Sequence, residues 1–352
     1  MPVEPYKIKL TPYRKNLGEI MLRQTKSGKG FSADGRYRFY INEEVDDADF
    51  WVVQGKGIRQ PETLSVAPQN TVLLTTEPRS VLIYPQEYID QFGMVCSCQE
   101  RTKHSNLVLG PAILPWFVGF TEAQDETCSY SLDYDKLSTS PTPEKTKLIS
   151  VITSNKAFTK GHIARIKFVE KLKEYYGDKI DVFGRGYRDF DDKWEVIAPY
   201  KYHIVIENSS QPYYWTEKIS DCFLAETFPF YYGCTNLSDY FPHEAYQPID
   251  IFDFDCTVKV IDDIIADNTY EKSKTVLREC KERVLGEYNM FNYIAGLCDR
   301  LDPSLPKELV TLQPCRSMND WHNFYNYTFT RNFLKLKQKV KNTFGSASSL
   351  GK

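Results

Sequence analysis

Two series of short apolar runs restrict the fold of this chain more than any other feature. Phe50 to Val53 (FWVV), Thr71 to Leu74 (TVLL) and Val95 to Ser97 lie in the first half. Leu148 to Thr153 (LISVIT), Ile180 to Phe183, His203 to Ile206 and Phe228 to Tyr232 lie in the second. Each is bounded by Gly, Pro or polar residues, the pattern of a buried strand. Helical segments separate them. Pro85 to Phe92 starts on proline and ends before Gly93, His162 to Tyr176 carries Ile163, Ile166, Val169 and Leu172 on one stripe, and Glu217 to Glu226 follows a natural cap. Strands alternating with helices predict an α/β fold.

The run from Thr121 to Lys147 is rich in Ser, Thr, Pro and charge and almost free of aliphatic residues. It reads as an exposed linker, and 352 residues are enough for two domains with separate cores. The expected organisation is a first α/β domain over 1–125, a linker over 126–147, a second over 148–302 and a helical extension over 303–352. Glu271 to Leu301 is expected as one or two helices. Trp321 to Phe344 is expected as the last, with Tyr325, Phe329, Phe333, Leu336, Val340 and Phe344 on one stripe and Lys335, Lys337, Lys339 and Lys341 opposite. A solvated basic face and a contact with an anionic membrane are both open for that helix.

Charge and cysteine usage exclude several function classes. With 44 Lys and Arg against 47 Asp and Glu, the net charge of −3 supplies no basic field for nucleic acid. The N-terminal MPVEPYKIKL lacks the pattern of a signal peptide, and the longest apolar stretch, Leu107 to Phe120, is broken by two glycines and two prolines. A cytoplasmic location is expected. Nine cysteines without a CxxC pair are expected to be reduced thiols, with no zinc site.

The segment Lys201 to Gly233 carries the most chemistry. A strand runs into Glu207-Asn208, a polar turn with Pro212 follows, and Thr216-Glu217-Lys218 opens a helix with Thr216 as its N-cap. Loops at the carboxyl ends of strands in α/β domains present free amides and a positive helix end, and phosphates are their common guest. A lysine in the first turn opposes the helix dipole, so Lys218 points to a ligand anion. On spacing alone, a plain strand, turn and helix with surface charges fits as well.

The residues Glu207-Asn208-Ser209 and Tyr214-x-Thr216-Glu217-Lys218, with the strand closed by Gly233, resemble the donor-binding signature of glycosyltransferase family 10, the α1,3/α1,4-fucosyltransferases. Ser154-Asn155 followed by Arg165 on a helix, and Val182-Phe183-Gly184-Arg185, are similar to the same family. Thr76-Glu77-Pro78 resembles its Glu-Ser-Pro segment without the serine.

The resemblance implies a GT-B architecture, two Rossmann-like domains facing across a cleft. It implies inverting, metal-independent transfer of L-fucose from GDP-fucose to a hydroxyl of a glycan or glycoprotein acceptor. It also implies roles. Lys218 and Arg165 neutralise the diphosphate, Tyr214, Glu217 and Asn208 hold sugar or ribose hydroxyls, and Glu77 is the base for the acceptor hydroxyl. Glu207 either touches the donor or anchors its loop, and Arg185 stands behind the site. Glu100 and Asp239 compete with Glu77. Another nucleotide sugar, or glycan binding without catalysis, stays open. Asp253-Phe254-Asp255 has the spacing of a cation-binding D-x-D triplet but is expected as an acidic pair at a strand end, so no metal ligand is assigned.

Overall fold

The computed structural model describes residues 4–154 and 160–318. The first half contains β1 (Tyr6–Thr11), β2 (Tyr37–Ile41), β3 (Phe50–Gln54), β4 (Glu62–Val66), β5 (Thr71–Leu74), the short helix α1 (Gln86–Ile89), β6 (Met94–Ser97) and β7 (Leu107–Leu109). All but β4 form one sheet in the order β2-β1-β3-β5-β6-β7, with every pair parallel. Every residue of β3, β5 and β6 is buried. That is why these three strands read as unbroken apolar runs: a parallel sheet covered on both faces gives no alternation.

The two faces of this sheet have separate cores. Phe50, Val52, Val72 and Leu74 point to one, Trp51, Val53, Leu73 and Val95 to the other, as the two-residue strand period requires.

The segment expected as an exposed linker is structured instead. β8 (Phe120–Glu122) pairs antiparallel with β9 (Cys128–Tyr130), and α2 (Tyr134–Thr139) follows, capped by Asp133 and with Leu137 fully buried. Its polar composition is answered from a distance. Buried Arg23 donates to Leu132 O (2.6 Å), Asp192 accepts from Ser131 Oγ (3.3 Å) and Glu226 accepts from Thr142 Oγ1 (2.6 Å).

The second half contains β10 (Lys147–Ile152), α3 (Lys160–Tyr176), β11 (Ile180–Phe183), α4 (Lys193–Ile197), β12 (Tyr200–Ile206), α5 (Glu217–Leu224), β13 (Phe228–Tyr232), β14 (Gln247–Pro248), α6 (Phe254–Ala266), α7 (Thr269–Lys272), α8 (Lys274–Leu285), α9 (Met290–Cys298) and β15 (Glu308–Leu312). Its parallel sheet has the order β11-β10-β12-β13-β14. The order reverses between β10 and β12, and in open α/β sheets the crevice at such a reversal is where ligands bind. The first sheet reverses in the same way between β1 and β3.

Three expectations are corrected. The D-x-D triplet is a helix start and not a strand end: Asp253 caps α6, accepting from Cys256 N at 3.1 Å, and Asp255 lies in the first turn, where helix amides favour acids. Glu271 to Leu301 holds parts of three helices, and α9 packs in the core of the first domain, with Phe291 against Phe39 at 4.8 Å between ring centroids. The chain therefore crosses back before residue 290. The extension from 303 opens on a strand: β15 pairs antiparallel with β4. The last predicted helix, Trp321 to Phe344, lies outside the described residues, as does Asn155.

Two Rossmann-like domains thus face each other with the carboxyl ends of their strands, which is the GT-B arrangement. Direct contacts join them there: Gln211 Nε2 donates to Cys98 O (2.9 Å), and Tyr214 packs with Cys98 and Ala112. Among the described residues, no helix is long and apolar enough to cross a membrane.

Candidate active site

The second domain builds its site at the ends of β10 and β12. Glu207 follows β12, and its side chain is fully buried. It accepts from Thr216 N (2.9 Å), from Thr216 Oγ1 (2.8 and 2.9 Å to its two oxygens) and from Lys218 Nζ (2.8 Å). Glu207 thereby ties the strand end to the cap of α5, the anchoring alternative of the two left open by sequence. Gly233 is required beside it, since a Cβ there would lie 2.5 Å from Glu207 Cγ. The unusual place of a lysine in the first turn also has its cause here. Lys218 pairs with a buried carboxylate that burial, with the nearby Glu217, pushes above its ordinary value against the pull of that lysine.

A cavity of about 340 Å³ opens at this point, lined by Thr153, Ser154, Arg165, Arg185, Asp189 and Lys218 among others. Arg165, on α3, is buried; among the described residues it reaches only Ser154 (3.3 and 3.4 Å) and its Nε has no partner. Thr153 Oγ1, also buried, has none either. Unpaired buried donors are rare because each costs about 1–3 kcal/mol, so their convergence on one cavity marks it as built for a ligand rich in acceptors. Arg165, Arg185 and Lys218 stand against Asp189 in the wall, and even with Lys218 paired to Glu207 the balance favours an anionic ligand. Gly184 shapes the wall. Its φ is +109°, and a Cβ there would overlap Thr153 O at 1.9 Å.

Glu217 lies beside Lys218 (3.9 Å) and Lys193 (3.6 Å). Burial pushes its carboxyl up, but Lys218 and Lys193 more than reverse this and hold it below its ordinary value, so it is ionised and able to accept from a diol. Neither Glu217 nor Tyr214 lines this cavity: Glu217 lines the adjoining one with Lys193, Lys218 and Asp221, and Tyr214 is buried at the domain junction.

The first domain contributes Glu77, in the loop after β5. Gln99 Nε2 holds the loop by donating to Glu77 O (2.8 Å), and Tyr84 Oη accepts from Thr76 N (3.3 Å). The Glu77 side chain crosses to the second domain. Asn208 hydrogen-bonds it, Oε2 is buried without a partner, and the carboxyl is pushed up to about 7, chiefly by burial and against the pull of Lys218, with Glu217 and Glu207 adding to the rise. A carboxylate of this kind is a proton acceptor near neutrality. The competitors are placed otherwise: Glu100 is exposed, and Asp239 is exposed and accepts from Asn236 (2.9 Å).

Sequence reasoning missed Thr153, Lys193 and Tyr13. Tyr13 follows β1, and its phenol is raised by burial and by the nearby Glu217 and Glu77, which places it between the domains. Its only sequence signal is its place just beyond a strand end. No group of metal-ligating side chains occurs among the described residues.

Residues 142–272 match the family described as glycosyltransferase family 10 (fucosyltransferase) C-term. No curated protein matches the chain. Among solved structures, an α1,3-fucosyltransferase with GDP is 15% identical, with 78% of this chain and 82% of that chain covered and a TM-score of 0.47. An α1,3-fucosyltransferase with GDP-fucose is 16% identical (77% and 81% covered, TM-score 0.43). A glycosyltransferase from Rickettsia africae ESF-5 is 10% identical (85% and 99% covered, TM-score 0.46). The segment that builds the anion cavity, residues 142–272, is a domain of glycosyltransferase family 10, and the chain that carries it is a glycosyltransferase.

Proposed function

We propose that the protein transfers L-fucose from GDP-fucose to a hydroxyl of a glycan acceptor with inversion at the anomeric carbon. One observation carries the reading: a carboxylate from the first domain, poised at about 7, lies in the field of Lys218, which lines the cationic cavity of the second. Inversion needs a base on the side of the sugar away from the diphosphate, and groups on opposite walls of a cleft supply that arrangement. Arg165 and Lys218 hold the diphosphate, whose charge grows as the glycosidic bond breaks, and Glu217 accepts from the ribose diol. The acceptor lies over the switch point of the first sheet. There a cavity of about 720 Å³ is lined by Thr11, Pro12, Gly57 and Arg59 among others.

Release of GDP from GDP-fucose, with and without an oligosaccharide acceptor, tests the activity. GDP-mannose and UDP-sugars in the same assay test the donor, and faster turnover of one of them would replace fucose in this reading.

The proposal includes independence from metal. Two cations replace one at the leaving group, and the carboxylates of the D-x-D triplet lie at the start of α6. Activity is expected to survive EDTA and to be unchanged in Asp253→Asn. A strict Mg²⁺ or Mn²⁺ requirement lost in Asp253→Asn or Asp255→Asn would return the triplet to the mechanism. A cytoplasmic site of action is also proposed, on nine cysteines that are all free.

A further inference from the structure

Glu217 and Asp221 stand four residues apart on α5, so their carboxylates share one face of the helix. That face meets α4, whose first residue is Lys193. Lys193 Nζ lies 2.7 Å from Asp221 Oδ2 and 3.6 Å from Glu217 Oε1, and the ammonium also sits over the Phe117 ring at 5.2 Å. The Asp221 side chain is fully buried, and its Oδ1 accepts from Phe117 N (2.8 Å) and Val118 N (3.1 Å), in the strap that joins the two domains. The cation therefore stands between two different tasks. One carboxylate stands beside Lys218, which lines the anion cavity, and the other holds the strap.

We propose that Lys193 is a positioning residue: it fixes the Glu217 carboxylate toward the donor by tying it, through Asp221, to the strap at 117–118. This rests on the reading of Glu217 as the group that accepts from the donor's hydroxyls. Lys193 is not replaceable by Lys218 in this task. Lys218 lies closer to Glu207 (2.8 Å) than to Glu217 (3.9 Å), and Glu207 is buried and needs that charge. The other ionisable groups facing Glu217 are Glu207, Glu77, Asp221 and the phenols of Tyr13 and Tyr214, none of them a cation. Without Lys193, three carboxylates and Lys218 surround Glu217, and its carboxyl is expected to titrate at higher pH. Only the ionised form accepts from two hydroxyls, so the pH at which donor affinity is lost on acidification moves up with it.

Two measurements test this on the full chain. In the free protein, carboxyl ¹³C titration of Glu217, assigned with Glu217→Gln, should move to higher pH in Lys193→Met and return toward wild type in Lys193→Arg. In the second, GDP affinity at pH 6 should fall about tenfold in Lys193→Met, the scale of one charge-assisted contact, with the loss smaller at pH 8. Should Lys193→Met alone not fold, the double variant Lys193→Met/Asp221→Asn removes the stranded buried charge and is expected to show an upward shift that is smaller, since Asp221 no longer repels Glu217. An unmoved Glu217 titration, in the single or the double variant, overturns the proposal whatever GDP does. A shifted titration in a protein whose wild type does not bind GDP leaves the positioning intact and refutes the donor reading instead.

Discussion

Glu77→Gln is expected to lower turnover by about 10²- to 10⁴-fold while leaving GDP affinity within about twofold of wild type. The substitution keeps the size of the side chain and one acceptor oxygen, so the hydrogen bond with Asn208 survives; what it removes is the capacity to take a proton. In the wild type, kcat/KM should rise with pH through about 7, where the Glu77 carboxyl ionises, and level off above. That limb should be missing in the variant. Stability separates this role from that of a structural cap. A carboxyl raised in the folded state binds its proton more tightly there than in the unfolded chain, so its ionisation destabilises the fold as pH climbs from its ordinary range through about 7. Gln carries no such charge. Glu77→Gln should therefore be at least as stable as wild type at pH 8, measured as Tm. A fall in turnover that follows a fall in Tm would make Glu77 a cap, and near-normal turnover would move the base elsewhere.

What the sequence revealed and what it hid follow from the range of each interaction. β5 and β13 were legible to the residue because strands buried on both faces read as continuous runs, and the edge strand β11 because Ile180, Val182 and Phe183 outweigh the half-buried Asp181. β1 was missed because Lys7 and Lys9 interrupt Ile8 and Leu10. The lysines lie to one side, with Lys7 paired to Asp47 (2.8 Å), while Ile8 and Leu10 are fully buried. The donor motif was legible for a similar reason: Glu207, Thr216, Glu217 and Lys218 meet within one strand, turn and helix. Lys193, Arg23 and Thr153 were not, since their meaning lies in partners or cavities formed by distant segments. The polar segment after 120 shows the limit most plainly. Its composition is that of an exposed linker, and it is held in place by partners remote in sequence: Arg23 at Leu132 O, Asp192 at Ser131 Oγ and Glu226 at Thr142 Oγ1.

Lys218→Ala is expected to produce two losses that a second substitution can pull apart. The first is donor affinity. With the ammonium gone, Arg165 faces the diphosphate with less help, and GDP binding should weaken by about 2–4 kcal/mol. The second is stability. The Glu207 side chain is fully buried and, among the described residues, Lys218 Nζ is its only cation within 4 Å, so the variant strands a buried charge and should unfold about 3–5 kcal/mol more easily at pH 7. Glu207→Gln in the same chain removes that charge, and Thr216 N and Oγ1 still have an oxygen to donate to. The double variant Lys218→Ala/Glu207→Gln should thus regain most of the lost stability in denaturant unfolding while GDP affinity stays low. Recovery of both together would mean that Lys218 serves only to neutralise Glu207 and that the diphosphate is held elsewhere. Recovery of stability alone assigns Lys218 both tasks, with a side chain 29% exposed at the cavity and its charge shared between a buried anchor and a ligand.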